Sequence, residues 1–343
     1  MAKEQDDIII HDIAGVPVTD SSLDQTNVPA RQVVPIAPTV GGDVAGPANS
    51  LWREAWLRLR RNKVAVGGAI VIILFILVAI FANVIAPYSY ERQFTVTEIR
   101  AMNMCPAEGR CTAKFMPSSS TFWLGTDNFG RDIFSRVIYG ARISLTVGLV
   151  SQLLIILIGM PIGLLSGYYG KWIDYLLMRI TDVMYAFPTI LFAIVVLSVF
   201  GQSFLNVLLA IGLTFWPPMA RLVRSQVLSV REKEYVEAAR AIGTTNRSII
   251  LRHILPNILS PVIVSITFGI PFAIMTEAFL SFLNIGTPIP LPSWGSMVAE
   301  GKDYLRTVPT LVLYPGIAIS LILFAFNFFG DGIRDALDPR TRK

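Results

Sequence analysis

The sequence predicts an all-α membrane protein with six transmembrane helices. Three observations carry that prediction. Hydrophobic residues make up 53% of the 343-residue chain and charged residues only 15%, with a mean hydropathy of +0.57; soluble domains carry about 25% charge. The apolar residues gather into six runs, at about residues 64–86, 143–167, 180–200, 204–220, 254–282 and 308–329, lengths that suit helices crossing roughly 30 Å of hydrocarbon. The charged residues cluster between these runs.

Residues 1–50 come before the first run. They are polar, lack periodicity and contain Pro29, Pro35, Pro38 and Pro47, which predicts a disordered cytoplasmic tail. No apolar core follows a short basic start, so the segment does not read as a signal peptide. Residues 51–63 differ. Leu51, Trp52, Ala55, Trp56 and Leu59 share one helical face, and Arg53, Arg60 and Arg61 lie elsewhere. This pattern predicts an interfacial amphipathic helix leading into the first span. Residues 64–343 then form the transmembrane domain.

The first span is uncharged and ends at Pro87; a long polar loop follows, to about residue 139. The second span is also uncharged. It places Gly159, Gly163 and Gly167 four residues apart, with Pro161 among them. Small residues at this spacing let helix backbones approach closely, and tight packing within the chain is the expectation. The third run contains Pro188, and the fourth is interrupted by Pro217 and Pro218.

Orientation follows from lysine and arginine placement. Arg53, Arg58, Arg60, Arg61 and Lys63 precede span one. Arg221, Arg224, Arg231, Lys233, Arg240, Arg247 and Arg252 lie between spans four and five, and Arg334, Arg340, Arg342 and Lys343 follow span six. An even number of spans puts all three groups on one face, the cytoplasmic one. Arg131, Arg136 and Arg142 fall on the opposite face, where long loops escape the rule and Asp127 and Asp132 offset part of the charge. Basic residues flank spans instead of lining a polar face, so nucleic acid is not an expected partner.

The stretch from Ser229 to Pro256 reads as a helix, a turn and a second helix. Tyr235, Ala238, Ala239 and Ile242 share one face, Ser229 and Glu232 match a capping box, and Gly243 stands at a helix stop. Small residues on the face admit a close partner, and Glu237 adds a polar contact. The alternative is an ordinary cytoplasmic loop. Glu277 is an acid inside the fifth run; such groups face a bundle interior or water, and a structural brace competes with a functional role. Cys105 and Cys111 share the polar loop, where a disulfide is the expectation outside the cell and free thiols the alternative. Two histidines, His11 and His253, are too few for a metal centre, and no phosphate-binding glycine loop is present.

Several segments resemble one family. Glu237-Ala238-Ala239, then Gly243, then Leu255-Pro256 resemble the EAA loop of ABC-importer permeases; His253 stands where that pattern has isoleucine. Residues 125–145 are similar to the GTDxxGRDxxSRxxxGARxSL segment of dipeptide, oligopeptide and nickel importer permeases, specifically of the second permease subunit. Arg179, Asp182 and Pro188 match that group's R-x-x-D-x-x-x-x-x-P segment. Residues 277–286 match its E-x-x-L-S-F-L-G-x-G, with Asn284 in place of glycine. Pro292, Trp294 and Gly295 match P-x-W-G, and residues 330–340 match the closing G-D-x-L-R-D-x-L-D-P-R apart from Ile333. The resemblance covers about residues 51–343. It implies a type I ABC-importer permease fold, in a prokaryotic inner membrane, with an extracytoplasmic loop between helices one and two. It implies a homologous second permease, two ATP-binding subunits that carry ATP and Mg, and an extracytoplasmic solute-binding protein. It also implies that Tyr235, Glu237, Ala238, Ala239, Ile242 and Gly243 couple this chain to an ATP-binding subunit. Asp127, Arg131, Asp132 and Arg136 read as an outer brace. No catalytic, cofactor-binding or metal-ligating residue is expected on this chain. Peptides are the expected solute. Nickel or another small solute, an ion-driven transporter and a membrane scaffold are the alternatives.

The orientation has a direct test. Membrane-impermeant thiol reagents applied to intact cells after reduction should label both Cys105 and Cys111. Labelling only after permeabilisation would invert the topology.

Overall fold

A computed structural model describes residues 51–105 and 111–338; the predicted tail at residues 1–50, and Pro339 to Lys343, lie outside the described residues. Residues 49–343 form one compact unit. It is helical. Among the described residues there is no strand, only an isolated bridge between Thr126 and Asp132.

The first helices are α1 (Leu51–Arg61) and α2 (Lys63–Ile80), joined at Asn62. The Asn62 side chain accepts from the Val64 and Ala65 amides at 3.1 and 3.2 Å, an N-cap that starts α2. Short helices α3 (Ala82–Ile85) and α4 (Val96–Ala101) follow, and then the polar loop. The second span is α5 (Ile133–Tyr169), 37 residues long and capped by Asp132. It is therefore about 55 Å from end to end. After it come α6 (Lys171–Ala186), α7 (Thr189–Phe200), α8 (Phe204–Thr214) and α9 (Trp216–Arg231). Then α10 (Glu234–Ala241) and α11 (Asn246–Ser248) lead through a wide π turn, Ile249–Ile254, into α12 (Leu255–Phe282). Helices α13 (Trp294–Gly301) and α14 (Thr310–Leu337) complete the described chain.

The glycines in α5 set the central packing. A Cβ on Gly159 would stand 2.9 Å from the Trp216 carbonyl oxygen and the Met219 Cβ. One on Gly163 would stand 2.5 Å from the Ala220 oxygen and 2.6 Å from the Val223 Cβ, and one on Gly167 would stand 2.7 Å from the Val227 Cβ. Rising numbers on α5 meet rising numbers on α9, so the two helices run parallel. Where helices lie this close, dispersion replaces the hydrophobic drive that lipid cannot supply.

This parallel pairing settles the number of crossings. Among the described residues, five helical segments are long and apolar enough to span a bilayer, and α6 with α7 form a pair bent by 86° that makes a sixth if it counts as one. Gly212 of α8 packs against Leu154, so Phe204 stands about 35 Å back along α5 from Tyr169. The chain must cover that distance between the two, which is a full crossing. The third span is therefore α6 plus α7. The run expected at about 180–200 is bent at the Pro188 inside it and starts earlier, at Lys171: Pro188 has no N–H to give, and it holds Phe187 extended at φ −76°, ψ 136°. The fourth span is also longer than 204–220. Pro217 and Pro218 fall in the first turn of α9, where their missing N–H groups cost nothing, and the helix runs on to Arg231. Ionic pairs tie α6 to α9. Arg224 grips Asp174 bidentately, both distances 2.6 Å, and Arg221 reaches Asp182 at 2.6 Å.

Around this pair, α12 packs antiparallel to α5, with Gly148 against Ile270 and Ile274, and α14 packs antiparallel to α2, with Gly68 against Ala325 and Phe329. Gly332 near the end of α14 meets Leu59 of α1 and Ala65 of α2. Both described ends of the chain thus lie at the end of the bundle where α5 and α9 finish. The predicted boundaries shift accordingly: span one breaks at Phe81 between α2 and α3, span five begins in the π turn, and span six extends to Leu337.

The glycine contact makes a paired prediction. Gly163→Ala should destabilise the protein by about 1–3 kcal/mol, the usual cost of overpacking, because a backbone oxygen cannot move aside. Gly67→Ala, with nothing within 4 Å of its Cβ, should be neutral or slightly stabilising. Thermal unfolding of the detergent-solubilised variants reads both; equal midpoints would contradict the packing.

Candidate functional site

Two groups of sequence-predicted residues form distinct constellations at opposite ends of α5. The first is the stretch from Ser229 to Pro256. Helix α10 starts at Glu234 with Lys233 as its N-cap and no side-chain cap bond, so the expected capping box at Ser229 and Glu232 does not form. Ser229 lies inside α9, which is carried through to Arg231 because Val223 and Val227 are buried against the core. The helix ends as expected. Gly243 has φ +80°, its amide donates to the Arg240 oxygen at 3.0 Å, and the Thr244 amide donates to the Ala239 oxygen at 3.1 Å. These two bonds are a Schellman closure, which needs a left-handed residue at this position.

The predicted face splits in two. Ala239 and Val236 are buried in the same cluster as Val227, Ile249 and Ile254. Ala239 is thus part of this chain's own core, a correction to its reading as a docking contact; the base of α9 and the π turn fill the space beside it. Tyr235, Ala238 and Ile242 form the outward stripe, Ile242 being 83% exposed, and Glu237 is exposed beside them. Polar contacts bind the whole element to the end of α5. Arg231 donates to the Gly167 carbonyl at 2.9 Å, completing the last turn of α5, and the Tyr168 hydroxyl donates to Asn246 at 2.7 Å. The π turn has a local cause: Pro256 cannot donate to the turn before it, and the Leu255 amide reaches back five residues to Ile250.

The second constellation lies at the start of α5. The Arg131 Nε donates to Asp127 at 2.7 Å, and Arg136 donates to Asp127 at 2.5 Å and to Glu300 at 2.6 and 3.0 Å. Arg131 also donates to Glu300. Asp127, Arg131 and Arg136 are all buried. Asp127 takes two further bonds from the Phe129 and Arg131 amides, at 2.8 and 2.9 Å. Two cations face two anions here, the condition for holding charge out of water, and among the described residues only the Arg136 Nε of this quartet's buried polar atoms lacks a hydrogen-bond partner. Asp132 stands apart from this exchange. It caps α5 through Ser135 at 2.8 Å, and burial raises its carboxyl above the usual range. Glu300, on α13, escaped the sequence reading. The signal for it was the surplus of arginines over acids in residues 125–142, which calls for an acid from elsewhere.

Glu277 is fully buried and accepts hydroxyl bonds from Ser281, Thr287 and Ser293, each 2.7 Å. It gathers the turn after α12 and the cap of α13 around one carboxylate. Trp294, also fully buried, donates through its indole to the Val137 oxygen at 3.0 Å. Asn284 takes φ +61° in a second Schellman closure, with Ile285 donating to Leu280 at 2.9 Å; asparagine tolerates this conformation better than other side chains. Cys105 and Cys111 are joined in a disulfide, at the same end as the ionic cluster. Among the described residues, no group of acids, histidines and cysteines is arranged to hold a metal ion.

Residues 159–343 match the family described as binding-protein-dependent transport system inner membrane component, and residues 50–104 match the N-terminal transmembrane domain of oligopeptide transport permease C. The dipeptide transport system permease protein DppC of Alkalihalophilus pseudofirmus is 44% identical over 295 residues, which span 86% of this chain and 92% of that protein. The oligopeptide transport system permease protein OppC of Bacillus subtilis is 39% identical, spanning 92% of this chain and 99% of that one. The glutathione transport system permease protein GsiD of Pectobacterium atrosepticum is 41% identical, spanning 85% and 92%. The chain belongs to the binding-protein-dependent transport system inner membrane components, the multi-pass permeases of ABC importers.

Proposed function

We propose that this permease carries di- and oligopeptides, handed over by an extracytoplasmic solute-binding protein, across a prokaryotic inner membrane. The observation that carries the reading is kinship: relatives 39–44% identical over most of the chain are named for dipeptide, oligopeptide and glutathione transport, and all of these solutes are peptides. In this reading the chain pairs with a homologous second permease. Two ATP-binding subunits hold ATP and Mg, and this chain performs no chemistry itself.

The α10 end is then cytoplasmic. The stripe of Tyr235, Ala238 and Ile242 enters a cleft on an ATP-binding subunit, with Glu237 at the rim. An exposed apolar stripe rimmed by charge is the usual mark of a contact surface. Closure of the ATP-binding dimer moves α10. Val236 and Ala239 seat α10 in the core beside α9 and the π turn, and Arg231 and Asn246 hold the stretch to α5, so that motion reaches the central helix pair as one body. The permease then exchanges two packings of a single bundle, with ATP as the remote ligand that selects between them.

The disulfide and the ionic cluster face outward in the same reading, and the cluster braces the entry to α5. Arg131→Ala would leave Asp127 and Glu300 short of a cation in a buried site, which typically costs about 3–5 kcal/mol. The yield of assembled complex should fall while the order of preference among solutes stays unchanged. A well-assembled variant with altered preference would assign the cluster to solute contact instead.

Coupling is tested on the exposed stripe, because Ala239 is committed to this chain's core. Ile242→Asp and Ala238→Trp should leave the permease folded and inserted, yet weaken co-purification of the ATP-binding subunits about tenfold, as for loss of a hot-spot contact. Gly243→Val should misplace the stripe by straining the turn, at roughly 1–2 kcal/mol. Normal co-purification and normal uptake in all three would refute α10 as the coupling helix.

A further inference from the structure

Gln152 lies at the middle of α5 and is 3% exposed. Among the described residues nothing hydrogen-bonds to its side-chain amide, which is open to the cavity beside it. An unmatched amide at this depth is costly. The side chain lines a cavity of about 540 Å³, together with Tyr185, Phe187, Phe215, Ser265 and Phe272. Gly269 lines it too, and the Gln152 amide occupies the space a Cβ there would take. So the backbone of α12 makes room for this amide without bonding to it.

The cavity coincides with two helix breaks. Phe187 and Pro188 form the 86° bend of the third crossing, and Phe215 is the junction of α8 and α9, at φ −101°, ψ 10°. Irregular backbone at membrane depth is tolerated where it lines a cavity, and such breaks mark transported-solute sites in other transporters.

We infer that this cavity is a transit site on the solute path, in which Gln152 exchanges hydrogen bonds with the backbone amides of the passing peptide. A primary amide offers two donors and an acceptor, the same groups a peptide bond presents whatever its side chains. The rings of Tyr185, Phe187, Phe215 and Phe272 accept apolar side chains without selecting among them. No charged group lines the cavity, so solute is guided and not gripped, as conduction requires. This inference rests on the peptide reading above.

The test uses the whole importer in liposomes, with both permeases, the ATP-binding subunits and the solute-binding protein saturated. Turnover is measured for trialanine and for its backbone N-methylated analogue. The unmodified importer should carry trialanine faster. Gln152→Leu should lower trialanine turnover about tenfold, the value of one to two hydrogen bonds, and abolish the difference between the two solutes. Gln152→Asn should restore part of that difference, which a purely structural role would not do. A Gln152→Leu importer that keeps the original preference overturns the inference while leaving the peptide function intact. An importer that carries no peptide even with Gln152 in place overturns the peptide reading itself. If Gln152→Leu does not assemble, Phe272→Cys decides: trialanine under turnover should slow its modification by a thiol reagent, and an unchanged rate overturns the inference.

Discussion

The bundle depends on one close contact, the parallel packing of α5 on α9. Three glycines one turn apart remove the side chains of α5 from the contact, and Met219, Val223 and Val227 of α9 fill the space. Lipid solvates leucine as well as protein does, so a membrane helix pair gains little from burying bulky side chains and much from shape. The contact has a topological consequence, because parallel neighbours need a full return crossing between them. That crossing is the bent pair of α6 and α7, and its break at Phe187 opens the cavity beside Gln152.

The two ends of α5 solve different electrostatic problems. At its start, the chain enters the bundle through two arginines and two acids that are nearly closed off from water. Each charge there has an opposite partner within hydrogen-bonding distance, and Asp127 gains two backbone amides as well. At its finish, the problem is the unsatisfied carbonyls of a long helix. Arg231, the last residue of α9, supplies the donor, so the residue that closes α5 also leads into α10. The segment after α9 is thereby tied to the end of α5.

The family motifs acquire separate physical meanings in the structure. Gly243 and Asn284 are left-handed closures of helices. Trp294 and Gly295 are close-packing residues, the glycine meeting the backbone of Ala278. Glu277 is a hub for three hydroxyls. Asp182 and Pro188 belong to the bent crossing, one pairing with Arg221 and the other making the bend. A single recognisable pattern thus mixes backbone constraint, packing and ion pairing.

The sequence by itself determined the membrane class, the approximate spans, the stop at Gly243 and the family. Each of these depends on local composition or on backbone conformations that favour few residues: a run of apolar residues needs hydrocarbon wherever it sits, and a left-handed turn favours glycine or asparagine whatever surrounds it. Tertiary structure decided the rest. The sequence periodicity grouped Tyr235, Ala238, Ala239 and Ile242 on one face, but the position of α9 decided that Ala239 turns inward and Ile242 outward. Ser229 had the chemistry of a cap and became mid-helix because the valines before it were already packed. Glu300 joined Arg131 and Arg136 across more than 160 residues, a distance that no local pattern encodes. Local rules fix what a segment can do alone; which partner fills a face or answers a charge is decided only when distant segments meet.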